Sequence, residues 1–229
     1  MKTYPSKQLA LAAALATVCA PTAFAQIFIT EVAPWGSGNS SYTVDWFELT
    51  NTGASAVDIT GWKIDDDSNA FGSAANLRNV TSIAPGQSVV FLDVAVANEA
   101  AKLAAFTSAW FGASAPSNFA FGYYNGAGGL GTGGDAINIF NSTGSPQASV
   151  TFGASDAVSP FQSFDNTAGL NNTAISLFSE AGVNGAITAF DNTAVGSPGL
   201  TAVPEPSEYA AAFGVLSVGL AAWFRRRQP

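Results

Sequence analysis

Three features of the sequence predict a mainly β protein: short runs in which apolar and polar residues alternate, turn-forming tripeptides between them, and a charge-free apolar stretch set apart near the C-terminus. Together they predict an antiparallel β-sandwich with one inserted helix, followed by a single transmembrane helix. The chain divides into a signal peptide (1–25), a folded domain (26–200), a linker (201–208), the membrane-spanning stretch (209–224) and a basic cytoplasmic tail (225–229).

The first segment carries Lys2 and Lys7, an apolar run from Leu9 to Ala20, and Ala23-Phe24-Ala25 before Gln26. A positive start, an apolar middle and a small-x-small end at Ala23 and Ala25 are the anatomy of a cleaved export signal. Cys19 follows Val18, with Ala16 further back, which does not suit lipidation; it reads as one more apolar residue of the discarded piece.

The runs Gln26–Ala33, Asp45–Asn51, Ala56–Ile64, Ser88–Asp93, Phe119–Asn125, Ala136–Asn141 and Ala148–Gly153 alternate over much of their length and are predicted strands, with Ala174–Phe178 and Ala186–Phe190 as further ones. Asn51-Thr52-Gly53, Pro85-Gly86-Gln87 and Ser142-Thr143-Gly144 supply turns, and Gly61 another. Trp46 and Leu49, or Trp62 and Ile64, are the expected core anchors. Between Ala97 and Gly112, Ala100, Leu103, Phe106, Trp110 and Phe111 fall near helical spacing, so a helix packed across one end of the sandwich is expected.

Tyr209 to Phe224 contain no charge; as a helix they reach about 24 Å, a short span of the roughly 30 Å hydrocarbon core. Trp223 suits the interface, and Arg225, Arg226 and Arg227 suit the cytoplasmic headgroups. Pro204-Glu205-Pro206, the apolar stretch and the Arg triplet stand in that order within the last 27 residues and resemble the PEP-CTERM sorting signal of Gram-negative bacteria. The resemblance implies recognition by exosortase, a membrane-embedded protease, after a transient inner-membrane stage. Pro204 and Pro206 favour an extended backbone that a protease can grip.

A second resemblance lies in the domain. Ile29-Thr30-Glu31-Val32, then Asp45-Trp46-Phe47-Glu48-Leu49-Thr50-Asn51, then Val57-Asp58-Ile59-Thr60-Gly61-Trp62 are similar to the lamin-tail domain, supported by Ile83–Phe91 and by Gly196-Ser197-Pro198-Gly199. The resemblance runs from residue 27 to about 93, continues more loosely from 119 to 153, and implies an immunoglobulin-like antiparallel sandwich.

Composition narrows the chemistry. The chain has no histidine and its one cysteine lies in the signal, which removes the usual general base, the commonest zinc ligands and the thiol nucleophile. Residues 26–200 hold three basic residues against fourteen acids, a formal charge of −11 that repels nucleic acid. No cofactor is expected.

Several patterns invite a sharper reading. Asp65-Asp66-Asp67-Ser68-Asn69 is a calcium candidate through Asp65, Asp67 and Asn69, although Ala70 and Asn76 stand where an EF-hand loop needs Gly and Glu. Gly126–Gly131 spells G-x-G-x-x-G, yet a strand-like run follows instead of a helix, so a flexible connection is expected. Glu31 and Glu48 form a glycosidase-like pair on paper, against which strand-edge or turn-bonding roles are the plainer expectation. Trp35, Tyr42, Tyr123 and Tyr124 are candidates for exposed sugar-stacking rings. Sequons at Asn39, Asn79, Asn141 and Asn171 lack the acidic residue of the bacterial glycosylation consensus.

The sequence thus reads as an exported, exosortase-sorted cell-surface or matrix protein with a structural or adhesive role and no enzymatic activity. A module binding extracellular polysaccharide or calcium is the rival reading, and a carboxylate-dependent hydrolase a third.

Overall fold

The computed structural model describes residues 27–167 and 174–200. Outside the described residues lie Ala23 and Ala25 of the expected export signal, Asn171, Pro204-Glu205-Pro206, the apolar stretch 209–224 and Arg225 to Arg227. Among the described residues, no helix is long and apolar enough to cross a membrane.

In chain order the strands are β1 (Ile27–Ala33), β2 (Trp46–Asn51), β3 (Val57–Asp58), β4 (Lys63–Asp65), β5 (Ala75–Asn76), β6 (Ser82–Ile83) and β7 (Ser88–Asp93). A 3-10 turn (Val96–Asn98) leads into the one α-helix among the described residues, α1 (Glu99–Phe111). There follow β8 (Ala120–Tyr124), β9 (Asp135–Phe140), β10 (Pro146–Phe152), β11 (Phe161–Gln162), β12 (Phe164–Asp165), β13 (Ala174–Ile175), β14 (Ile187–Thr188) and β15 (Ala194–Gly196). They build two five-stranded sheets, ordered β12-β1-β2-β7-β8 and β13-β10-β9-β4-β5, with a small β11-β15-β14 sheet and a β3-β6 pair. Pairing is antiparallel apart from β7–β8, β10–β13 and β11–β15.

The core between the large sheets follows from alternation. Phe47 and Leu49 of β2 point inward with Ile29, Val89 and Phe91, and meet Ile64, Ile137, Ile139 and Val150 from the other sheet. Trp62 and Ile64 join this core as expected. Trp46 is buried too, but successive side chains leave a strand on opposite faces, so it belongs to a second core beyond the sheet. The run Ala56–Ile64 is not one strand: Gly61 adopts φ +74°, and the Thr60 N–H donates to Asp58 Oδ1 at 2.8 Å, turning the chain between β3 and β4. Ala174–Phe178 and Ala186–Phe190 contain only two-residue strands.

The helix also differs from expectation. It lies against the outer face of the first sheet rather than across one end of the sandwich. Phe106, Ala109, Trp110 and Phe111 are buried there with Trp35, Trp46, Val90 and Leu92, while Ala100 is exposed. The reason is that the outer face of β2 and β7 is itself apolar in part and must be covered, so β2 is buried along its whole length. The chain after residue 160 completes that cover, contributing Phe161, Ile187, Ala189 and Ala194 to the second core.

Candidate functional site

The outer face of β1 and β2 holds a buried pair of carboxyl groups, Glu31 and Glu48. The register between the strands slips after Ile29, which pairs with Leu49, so that Glu31 pairs with Glu48 and Thr30 is the extra residue of a β-bulge. The bulge places Thr30 beside Glu31 on the same side: Thr30 Oγ1 donates to Glu48 Oε1 at 2.7 Å. Both glutamates have 0 % of their surface exposed. Both lie on interior strands of their sheet, so the strand-edge role expected for them is not what the fold gives, while the turn-bonding role is: both accept backbone N–H bonds from the turn at 197–200.

What seals them is the end of the described chain. The Ser197 N–H donates to Glu31 Oε1 at 2.8 Å and Ser197 Oγ to Glu31 Oε2 at 2.9 Å, while the Gly199 N–H donates to Glu48 Oε2 at 2.6 Å. Ser163 Oγ donates a short hydrogen bond to Glu31 Oε1, and Ser179 Oγ lies 2.8 Å behind Ser163 Oγ. Gly196 allows this approach, since a Cβ there would collide with Glu31 Oε1 and Ser163 Oγ and stand 3.0 Å from Trp110. Burial, then the neighbouring Glu48, push the Glu31 carboxyl up to about 8 against the downward pull of its Ser163 and Ser197 donors. Burial beside a second carboxylate thus favours the protonated form of Glu31.

Hydroxyls continue the network. Thr30 Oγ1 gives its proton to Glu48, so Thr50 Oγ1, 2.8 Å away, donates to Thr30 in turn, and Ser88 Oγ at 2.7 Å donates to Thr50. Ser88 also lines an open pocket of about 300 Å³ with Gly86, Gln87, Asn118, Gly199 and Leu200.

A family model for the lamin tail domain matches residues 20–154, more than half of the chain. The chain belongs to the lamin tail domain family. No curated protein and no solved structure matches it. The matched part of this lamin-tail protein contains Glu31 and Glu48, whereas Ser163, Ser179, Ser197 and Gly199 come from the segment beyond it.

The other candidates resolve differently. A glycosidase needs two carboxyl groups flanking a substrate bond; Glu31 and Glu48 are brought together, but beneath protein rather than in a cleft. Trp35, Tyr42, Tyr123 and Tyr124 are not exposed rings: their exposures are 0 %, 2 %, 5 % and 0 %. Trp35 stacks on Trp110 at 6.4 Å and meets Trp46 edge-on at 6.0 Å, and the indole N–H groups of Trp46 and Trp110 both donate to the Tyr42 hydroxyl at 3.1 Å. Trp35, Tyr42 and Tyr123 belong to the second core and Tyr124 to the first, beside Phe47, assembled from parts of the chain too far apart for local periodicity to register.

Asp65, Asp67 and Asn69 do not assemble as a ligand set. Asp65 turns inward and accepts from Ser68 Oγ and the Ala70 N–H, both at 2.6 Å, while Asp67 and Asn69 face solvent. Among the described residues no group of three or more metal-ligating side chains converges. The Gly126–Gly131 loop joins β8 to β9 and is anchored, with Ala127 and Leu130 buried. Its N–H groups point at the protein's own acids, Leu130 at Asp45 Oδ2 (3.0 Å) and Gly131 at Asp135 Oδ2 (2.7 Å), the reverse of a phosphate cradle. Asp45, which precedes Trp46, also accepts from the Gly36 N–H; burial raises its carboxyl while these donors lower it. Asn39, Asn79 and Asn141 use their side chains on neighbouring backbone.

Proposed function

We propose that this lamin-tail protein is exported, sorted by exosortase through Pro204-Glu205-Pro206, and displayed at the cell surface or in the extracellular matrix in a structural or adhesive role without catalysis. The observation that carries the non-catalytic part is the closure of Glu31 and Glu48 beneath Ser197 and Gly199. Without histidine, and with the one cysteine in the expected signal, a hydrolase built here is left with carboxylates and hydroxyls, and the carboxylate pair the fold brings together is occupied in holding the fold shut.

Charge placement supports an extracellular partner that is not nucleic acid. Arg78 pairs with Glu99 at 3.1 Å, Lys102 donates to Tyr42 O and Thr43 Oγ1, both at 2.8 Å, and Lys63 sits 4.6 Å above the Phe71 ring. The three cations of residues 26–200 thus serve the chain's own loops and helix. Sorting rests on the ordered tail motif alone. The test is to delete the gene and score surface aggregation and matrix attachment: loss of either, restored by the intact gene, supports the reading, and unchanged behaviour contradicts it. A glycan array probed with the purified chain separates polysaccharide adhesion from contact with other proteins.

A further inference from the structure

Two carboxyl groups at paired positions, roofed by the last described segment of chain, form an unusual junction. Like charges this close, away from water, resist joint ionisation. Around the pair, β1 presents Thr30, β2 Thr50, β7 Ser88 and α1 Trp110. Ser163 and Ser179 approach from the chain around β12, and Ser197 and Gly199 from above. Of the nearby titratable groups, Asp165 stands opposite Glu31 in register, with its carboxylate turned to the Thr167 N–H (2.7 Å) and Asn184 Nδ2 (2.8 Å). Tyr42 feels the charge of both Glu31 and Asp191, and burial keeps its hydroxyl protonated.

We infer that Glu31 and Glu48 are a proton-dependent fastening: one proton held on the pair keeps residues 194–200 down on the first sheet, and its loss as pH rises loosens that strap while the sandwich beneath stays folded. With the proton on Glu31 Oε2, that oxygen donates to Ser197 Oγ, Oε1 still accepts from the Ser197 N–H and Ser163, and Glu48 accepts from the Gly199 N–H. Both strap contacts are then satisfied with a single charge on the pair. Deprotonation places a second charge there, which lifting the strap and admitting water relieves. The line from Ser88 through Thr50 and Thr30 to Glu48 joins that carboxylate to the open pocket.

The sign follows from linkage. Glu31 is held at about 8 in the closed form against an ordinary 4.5, so the closed form binds the proton more tightly than the open one. Closure is favoured on the acid side and loses about tenfold in equilibrium constant per pH unit between those values, levelling above the upper one.

Hydrogen exchange on the full chain tests this, with rates corrected for the pH dependence of chemical exchange. Protection of the peptide covering 194–200 should fall about tenfold per pH unit from pH 6 to 8 and then level, while peptides from β9 and β10 stay constant. Glu31→Gln keeps the shape and one acceptor but cannot ionise, and should flatten the profile. If that variant does not fold, Glu48→Gln decides, because removing the neighbouring charge should make the profile level at a lower pH. A parent profile that is flat, or one unchanged in the folded variant, overturns the inference. Neither result bears on the export and sorting reading, which rests on the tail.

Discussion

Trp62 is 6 % exposed in the core between the two large sheets, so replacing it with alanine opens a cavity the surrounding strands cannot fill. Trp62→Ala should cost about 3–5 kcal/mol, enough to unfold much of a marginally stable domain; thermal melting checks it. Gly196 offers a complementary test. Because a methyl group there meets Glu31, Ser163 and Trp110 at once, Gly196→Ala should cost about 1–3 kcal/mol by overpacking and lower the melting temperature. At this scale the sequence was informative about identity and poor about company. Trp46, Leu49, Trp62 and Ile64 are core residues as their patterns predict, and Glu31 and Glu48 stand out as acids within strand patterns. Their burial is not legible, because the Ser197 that covers Glu31 is 166 positions away and no local periodicity reports it.

Among the elements, the long strands and the helix were legible because alternation and helical spacing extend over enough residues to register. The two-residue strands β5, β6, β11 and β12, and the three-residue β15, carry no such pattern; they exist because a neighbouring strand offers free backbone groups. The helix was placed wrongly because spacing identifies its buried side but not what it is buried against. The Gly126–Gly131 loop shows how one acid positions an element. Asp45 accepts from the Leu130 and Gly36 N–H groups, so Asp45→Ala leaves two donors without that acceptor and should cost about 1–3 kcal/mol, with faster hydrogen exchange at Leu130 as the local sign. An unchanged rate at Leu130 would mean that Ala127 and Leu130 packing and the Gly131–Asp135 hydrogen bond hold the loop without Asp45.

For the whole molecule, the proposed sorting makes Glu205 decisive: Glu205→Ala should leave a longer form of the protein in the inner membrane, read by intact mass after fractionation. An identical mature C-terminus in mutant and parent contradicts exosortase processing. The wider claim is that the domain reaches residue 200, past the end of the lamin-tail match, because the last segment closes over the carboxylate pair and the second aromatic core. Calorimetric unfolding of residues 26–200 beside residues 26–154 measures this directly. One cooperative transition for the longer chain, lost or moved to much lower temperature in the shorter one, is the result predicted here; equal melting temperatures would make the segment an appendage and the buried pair an incidental contact.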